Sequence, residues 1–136
     1  MTGYLLDTDW ITDLLHDQPV AVDALPVLTA TGAAMSLIAY GELYEGASYS
    51  RDPEASLTGL KELLAIIPVL PLDIEIVERF SVLRGSLPRN HRQQIGDFDL
   101  LIAATALVHD LILVTRNIRD FKLVPGLTLY ESSSDS

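Results

Sequence analysis

The stretch Asp97-Phe98-Asp99-Leu100-Leu101-Ile102-Ala103-Ala104-Thr105-Ala106-Leu107-Val108, with Leu111-Ile112-Leu113-Val114-Thr115 close behind it, decides the architecture. Its first part predicts a helix that is apolar on nearly every side, hence one buried on more than one face. Its second part is short, apolar and β-branched, the composition of a buried strand. Helix then strand, repeated along a chain, is the rhythm of a parallel sheet covered by helices.

The same rhythm extends towards the N-terminus. Tyr4 to Leu6 predicts a short buried strand ending at Asp7, and Asp9 to His16 a helix with Trp10, Ile11, Leu14 and Leu15 on one side. Asp9 is the expected cap of that helix, which leaves Asp7 free of capping. A weaker helix containing Pro26 spans Val20 to Thr31, followed by a strand at Ala33 to Ser36. Ser36 caps a helix to about Tyr49. Asp52-Pro53 is a cap followed by proline at the first helical position, opening a helix with Leu57, Leu60, Leu63 and Leu64. Pro68 to Leu72 suits an edge strand, since its two prolines donate nothing to a ladder. Asp73 caps a helix to about Leu87, with Ile74, Val77, Leu83 and Leu87 at helical spacing, and Pro88 to Gln94 is expected to be a polar, basic loop. After Thr115, Asn117 to Phe121 is a turn or short helix, and Leu127 to Tyr130 a last strand behind Pro125-Gly126. The expectation is one α/β domain over residues 1–131, a three-layer fold with a central parallel sheet and helices on both faces, and a polar tail at 132–136.

Composition narrows the chemistry. The 136 residues contain no cysteine, so disulfides and thiolate metal sites are excluded and any metal is held by oxygen or nitrogen. Met1 to Leu15 lacks the basic start and apolar run of a signal peptide. No segment reaches the roughly 18 apolar residues of a membrane helix, and a cytoplasmic location is expected. The net charge is −10, from 19 acidic against 9 basic residues, which repels phosphate at long range. Seven of the nine cations (Arg79, Arg84, Arg89, Arg92, Arg116, Arg119 and Lys122) lie between positions 79 and 122. A local basic patch and a set of solvated surface charges are both consistent with that distribution.

In open parallel sheets, ligands sit beyond the carboxyl ends of the strands. Asp7 follows the first strand, Glu42 lies in the helix after the second, Asp99 in the first turn of the buried helix, and Asn117 and Asp120 after the strand ending at Thr115. These oxygen donors suit magnesium or manganese. Crowded carboxylates repel one another until a cation lies between them, and such a cation makes an acidic pocket compatible with a phosphodiester. The residues alone leave a second reading open, because acids at helix starts are common: Asp97 is a natural cap, Asp99 suits the helix dipole, and Glu45 is a solvated neighbour of Glu42. His16, His91 and His109 have no mutual metal spacing and are expected at the surface.

Four segments resemble the PIN-domain toxins of the VapC type. Tyr4-Leu5-Leu6-Asp7-Thr8-Asp9 is similar to their opening motif; Ser36 to Gly46 (SLIAYGELYEG) resembles the second, Ile95 to Thr105 (IGDFDLLIAAT) the third, and Leu113 to Phe121 (LVTRNIRDF) the fourth. Pro125-Gly126-Leu127 and a short strand match the usual ending. The resemblance covers essentially the whole chain, in order. It implies a PIN fold and a Mg2+- or Mn2+-dependent endoribonuclease that leaves a 5′-phosphate and a 3′-hydroxyl. It also implies a toxin neutralised by a small cognate antitoxin with a basic segment, and dimers or hetero-oligomers with that antitoxin. The implied roles are Asp7 and Asp99 as metal ligands, Glu42 as a further ligand or general base, and Asn117 and Thr115 as groups orienting water and ligands. Thr8, Asp9 and Asp120 support them, and Arg116 and Arg119 face RNA phosphates. Two departures stand out: Asp9 replaces the usual asparagine, and Asn117 replaces a frequent aspartate, leaving Asp120 as the acid that could compensate. Related alternatives are a PIN nuclease of RNA processing without an antitoxin, and a non-catalytic module of the same fold.

Overall fold

The computed structural model describes residues 3–131. Its elements are β1 (Tyr4–Leu6), α1 (Thr8–Leu15), α2 (Pro19–Thr31), β2 (Ala33–Ser36), α3 (Leu37–Ser48), α4 (Pro53–Leu63), β3 (Val69–Leu70), α5 (Ile74–Ser86), α6 (Arg89–Ile95), α7 (Asp97–Val108), β4 (Ile112–Val114) and α8 (Ile118–Phe121). The tail expected at 132–136 lies outside the described residues.

The four strands form one parallel sheet in the order β3-β2-β1-β4. Tyr4 pairs with Ala33 on one side and with Ile112 on the other, and Met35 pairs with Val69. The chain therefore winds outward from β1 through β2 to β3, then crosses back to lay β4 on the far side of β1. Parallel crossovers are right-handed, so reversing the winding direction moves the helices to the opposite face. The result is the expected three-layer α/β architecture. The reversal also creates a crevice at the carboxyl ends of β1 and β4, the place where open sheets bind ligands.

The core lies where the sequence is most apolar. Leu5 and Leu6 of β1, Leu113 and Val114 of β4, and Leu100, Ile102, Ala103, Ala104 and Ala106 of α7 are wholly buried. Each Leu or Ile among them contributes about 1.5–3 kcal/mol. No helix among the described residues is long and apolar enough to cross a membrane.

Several elements differ from the sequence expectation. The segment expected as a loop at Pro88 to Gln94 forms α6, whose Ile95 is buried beneath polar residues. The last strand contracts to one parallel bridge, Leu113 to Leu129, made by Leu113 N–H to the Thr128 carbonyl and Tyr130 N–H to the Leu113 carbonyl. The edge strand shortens to two residues. In α5 the buried residues are Ile76 and Leu83, while Ile74 and Val77 face outward.

Both disputed caps change hands. Asp7, and not Asp9, is the N-cap of α1, with its carboxylate accepting from the Thr8 amide at 2.8 Å. Gly96, and not Asp97, occupies the N-cap of α7, because its backbone at φ 78° and ψ 164° closes α6 and opens α7 in one residue. Ser36, Asp52 and Asp73 cap α3, α4 and α5 as their spacing predicts.

Candidate active site

Asp7 is the residue that β1 delivers into the crevice. It is only 5% exposed. One carboxylate oxygen accepts from the Thr8 N–H at 2.8 Å, and the other from the Thr115 hydroxyl, at the end of β4, at 2.7 Å. Burial pushes the Asp7 carboxyl up to about 7, and the neighbouring charges of Asp9 and Asp99 add to the rise. The hydrogen bonds from Thr115 and Thr8 oppose it without cancelling it.

Glu42 arrives from α3. Its Oε1 accepts from the Thr8 hydroxyl at 2.8 Å, so Thr8 joins the helix that follows β1 to the helix that follows β2. Asp99 stands in the first turn of α7 and is half-buried. Burial raises its carboxyl to about 6, and Glu42, Asp120 and Asp9 push in the same direction. Thus Asp7, Asp9, Glu42, Asp99 and Asp120 form one electrostatic neighbourhood, although they come from four separate helices or helix starts.

Asp9, in the first turn of α1, belongs to this group as well. Its Oδ2 accepts from the Arg116 N–H at 3.1 Å and lies 3.4 Å from the Thr115 hydroxyl. Its Oδ1 is buried with no hydrogen-bond partner among the described residues. Burial raises its carboxyl as well.

The segment after β4 is tied down by polar contacts. The Asn117 N–H donates to the Thr115 hydroxyl at 3.0 Å, and the Asn117 side-chain amide donates to Asp120 Oδ2 at 3.1 Å. The Gln94 amide of α6 donates to Asp120 Oδ1 at 2.9 Å. These two amides hold the Asp120 carboxyl below its usual range. The side chain of Asn117 thus serves Asp120, and the acid whose charge reaches Asp99 is Asp120. Arg116 forms an ion pair with Asp13 at 2.8 Å, and Arg84 one with Asp97 at 2.8 Å; Arg119 is exposed. His16 and His109 are at the surface and His91 is half-buried. Sequence reasoning did not find Gln94 or Asp13: Gln94 sits in what looked like a loop, and nothing in the spacing links Asp13 to Arg116.

The donor set is all oxygen, which suits a hard divalent cation. Among the described residues no group of three His, Asp or Glu side chains already stands close enough to chelate one ion. Magnesium does not require that, since it keeps several waters and is held by one or two carboxylates. The buried, unpartnered oxygen of Asp9 and the mutual repulsion around Asp99 fit a cation in this crevice.

Beside Glu42 a groove of about 460 Å³ opens between α1, α3 and α4, with Thr12, His16, Gly46, Ser56 and Gly59 among its walls.

Comparison with known proteins agrees with this fold. The PIN domain family model matches residues 4–127. The tRNA(fMet)-specific endonuclease VapC of Shigella flexneri is 32% identical over 127 residues, covering 93% of this chain and 96% of its own length. Ribonuclease VapC2 of Haemophilus influenzae is 29% identical over the same shares of both chains. Among solved structures, the DNA-bound VapBC of Salmonella typhimurium superposes with a TM-score of 0.85 at 27% identity, over 96% of this chain and 98% of that one. VapBC2 of Rickettsia felis, bound to a DNA fragment from its promoter, superposes with a TM-score of 0.82 at 28% identity, over 95% and 98%. With its four-stranded parallel sheet and its acids gathered where β1 meets β4, the chain belongs to the PIN domain family, in the company of the VapC ribonucleases.

Proposed function

We propose that this chain is a divalent-metal-dependent endoribonuclease, the toxin of a toxin–antitoxin pair, in which Asp7, Asp99 and Glu42 hold Mg2+ or Mn2+ and Asp120 stands as the fourth acid. The observation that carries the reading is Asp7. It is buried at the switch point, burial raises its carboxyl to about 7 with the charges of Asp9 and Asp99 adding to the rise, and no cationic side chain is paired to it among the described residues. A folded protein rarely buries a carboxylate against others unless a cation joins them.

The chain's own groups supply the rest. The Thr115 hydroxyl and Thr8 amide hold the Asp7 carboxylate in one orientation. The Thr8 hydroxyl occupies Glu42 Oε1, leaving Oε2 to accept a proton from an attacking water. The bound cation lowers the pKa of water and offsets the charge of the phosphodiester. Attack at phosphorus breaks the bond to the 3′ oxygen, which leaves as a hydroxyl, and the phosphate stays on the 5′ side. Asp9 fastens the loop after β4, and Arg119, with the outer nitrogens of Arg116, meets RNA phosphates.

The antitoxin half of the proposal is supported by the VapBC complexes among the structural relatives and by the charge of the crevice. An arginine from a partner satisfies two carboxylate oxygens with its planar fork, so it competes with both metal and RNA. The groove beside Glu42 gives a partner segment a route to those acids. The chain acts as a homodimer or as a hetero-oligomer with that partner, in a cytoplasmic setting.

The test is cleavage of RNA by the purified protein with Mg2+ or Mn2+, with chelator, and with Asp7→Asn. The reading requires cleavage that needs the metal, ends in 5′-phosphates, and disappears in the variant. An Asp7→Asn protein as fast as the parent rules out the site. Expression alone should arrest growth, and co-expression of the neighbouring small gene should restore it. A chain harmless alone would be a PIN nuclease without an antitoxin.

A further inference from the structure

Gln94 attracts no attention in the sequence and belongs to none of the four motifs. In the fold it is the contact that crosses between two elements to reach Asp120. We propose that Gln94 is a positioning residue, which holds the Asp120 carboxylate in register with Asp99; this rests on the reading of Asp120 as the fourth acid of the site.

The argument begins with what Asp120 lacks. It is only partly buried, and α8, which carries it, is a single turn. An aspartate that is partly exposed on one turn of helix has several rotamers open to it, and a carboxylate that must meet a cation or its waters loses binding strength with every rotamer that points elsewhere. Two amides restrict it. The Asn117 amide reaches Oδ2 at 3.1 Å, but Asn117 is three residues away on the same turn. That bond fixes Asp120 relative to its own turn and moves with it. The Gln94 amide reaches Oδ1 at 2.9 Å across 26 residues of sequence. Gln94 precedes Ile95, whose side chain is 4% exposed, and Gly96, where α6 gives way directly to α7. Asp99 is in the first turn of α7. The Gln94 bond therefore references Asp120 to the unit that carries Asp99, and among the described residues it is the side-chain bond that does so. Outer contacts of this kind, which aim a ligating carboxylate, are worth about 10–100-fold in metal affinity or activity.

The experiment is a double-mutant cycle. Gln94→Met keeps the length of the side chain and removes the donor, and Asp120→Ala removes the acid it aims. Mn2+ affinity, measured by calorimetry, and RNA cleavage are recorded for the parent, both single variants and the double variant, with thermal melts to confirm folding. The expected result is a loss of about tenfold in Mn2+ affinity for Gln94→Met, and no further loss when the change is made in the Asp120→Ala background. A Gln94→Met protein with parental affinity and rate overturns the proposal. So does the same loss in both backgrounds, because Gln94 would then act elsewhere than through Asp120. A parent that binds no Mn2+ and cuts no RNA overturns the metal-site reading itself, and the role of Gln94 with it.

Discussion

At the scale of the residue, Asp7 carries opposing demands. Its folded carboxyl titrates at about 7 against an ordinary 3.8, so folding disfavours its ionised form. Between those two values the unfolded chain has released the proton and the folded chain retains it, and stability falls as pH rises through that window. In chelator, the melting temperature should therefore be higher at pH 5 than at pH 8, and Asp7→Asn should flatten that part of the profile. An Asp7→Asn protein with the parental pH dependence would place the effect on another group. Thr115→Val leaves Asp7 buried without the hydroxyl that aims it, and a loss of about 10–100-fold in cleavage is expected. Asp97 and Asp99, two positions apart, should separate cleanly. Asp97 joins Arg84 in an exposed ion pair, of a kind worth about 1 kcal/mol or less, so Asp97→Ala should melt within a few degrees of the parent and cut RNA at the parental rate. Asp99→Ala should melt normally and cut nothing. A slow Asp97→Ala enzyme would move the catalytic assignment.

At the scale of the element, the contrast between α7 and α6 explains what was legible in the sequence. The apolar run from Leu100 to Ala106 announced a buried helix, and Ile112 to Val114 the strand behind it, because burial on all sides leaves no alternative composition. Asp7 and Asp99 drew attention for a related reason, each being an acid at the end of an apolar element where open sheets bind ligands, whereas Glu42 lies midway along α3 and is singled out by its motif. The α6 helix was hidden, since six of its seven residues are polar and only Ile95 is buried. The cap of α1 was misassigned because composition cannot say which of two nearby acids, Asp7 or Asp9, faces the amides, and that of α7 because the helix follows α6 through Gly96 with no room for an acid cap. Gly96 shows where such a junction costs most. Its φ of 78° with ψ of 164° is a region that glycine alone occupies readily, so Gly96→Ala should lower stability by about 1–3 kcal/mol, with the start of α7 and Asp99 displaced together. Gly46 lies within α3, and a Cβ there meets nothing within 4 Å. Gly46→Ala should instead stabilise by about 0.5–1 kcal/mol. Chemical denaturation of the two variants checks both signs, and equal effects would refute the assignment of strain to Gly96.

At the scale of the whole molecule, the net charge of −10 is opposed to RNA and favourable to a basic partner. Association with a basic antitoxin segment should be fast and should slow steeply with added salt, because steering is screened within about 10 Å at 0.1 M. RNA cleavage should respond to Mg2+ far more than to salt. An association rate indifferent to ionic strength would remove the electrostatic account of pairing. The order of the strands has a consequence of a different kind. Of the four strands β1 is made before the others and is an interior one, and its flank towards β4 stays bare until residues 112–114 have been added. The bond from Thr115 to Asp7 spans 108 positions, and neither Asp99 nor Asp120 exists while the first half of the chain is being translated. A cell making this polypeptide therefore holds no assembled crevice at any earlier moment of synthesis. Chains abandoned by stalled ribosomes before β4 should therefore cut no RNA, an outcome that assaying a protein truncated after residue 110 checks.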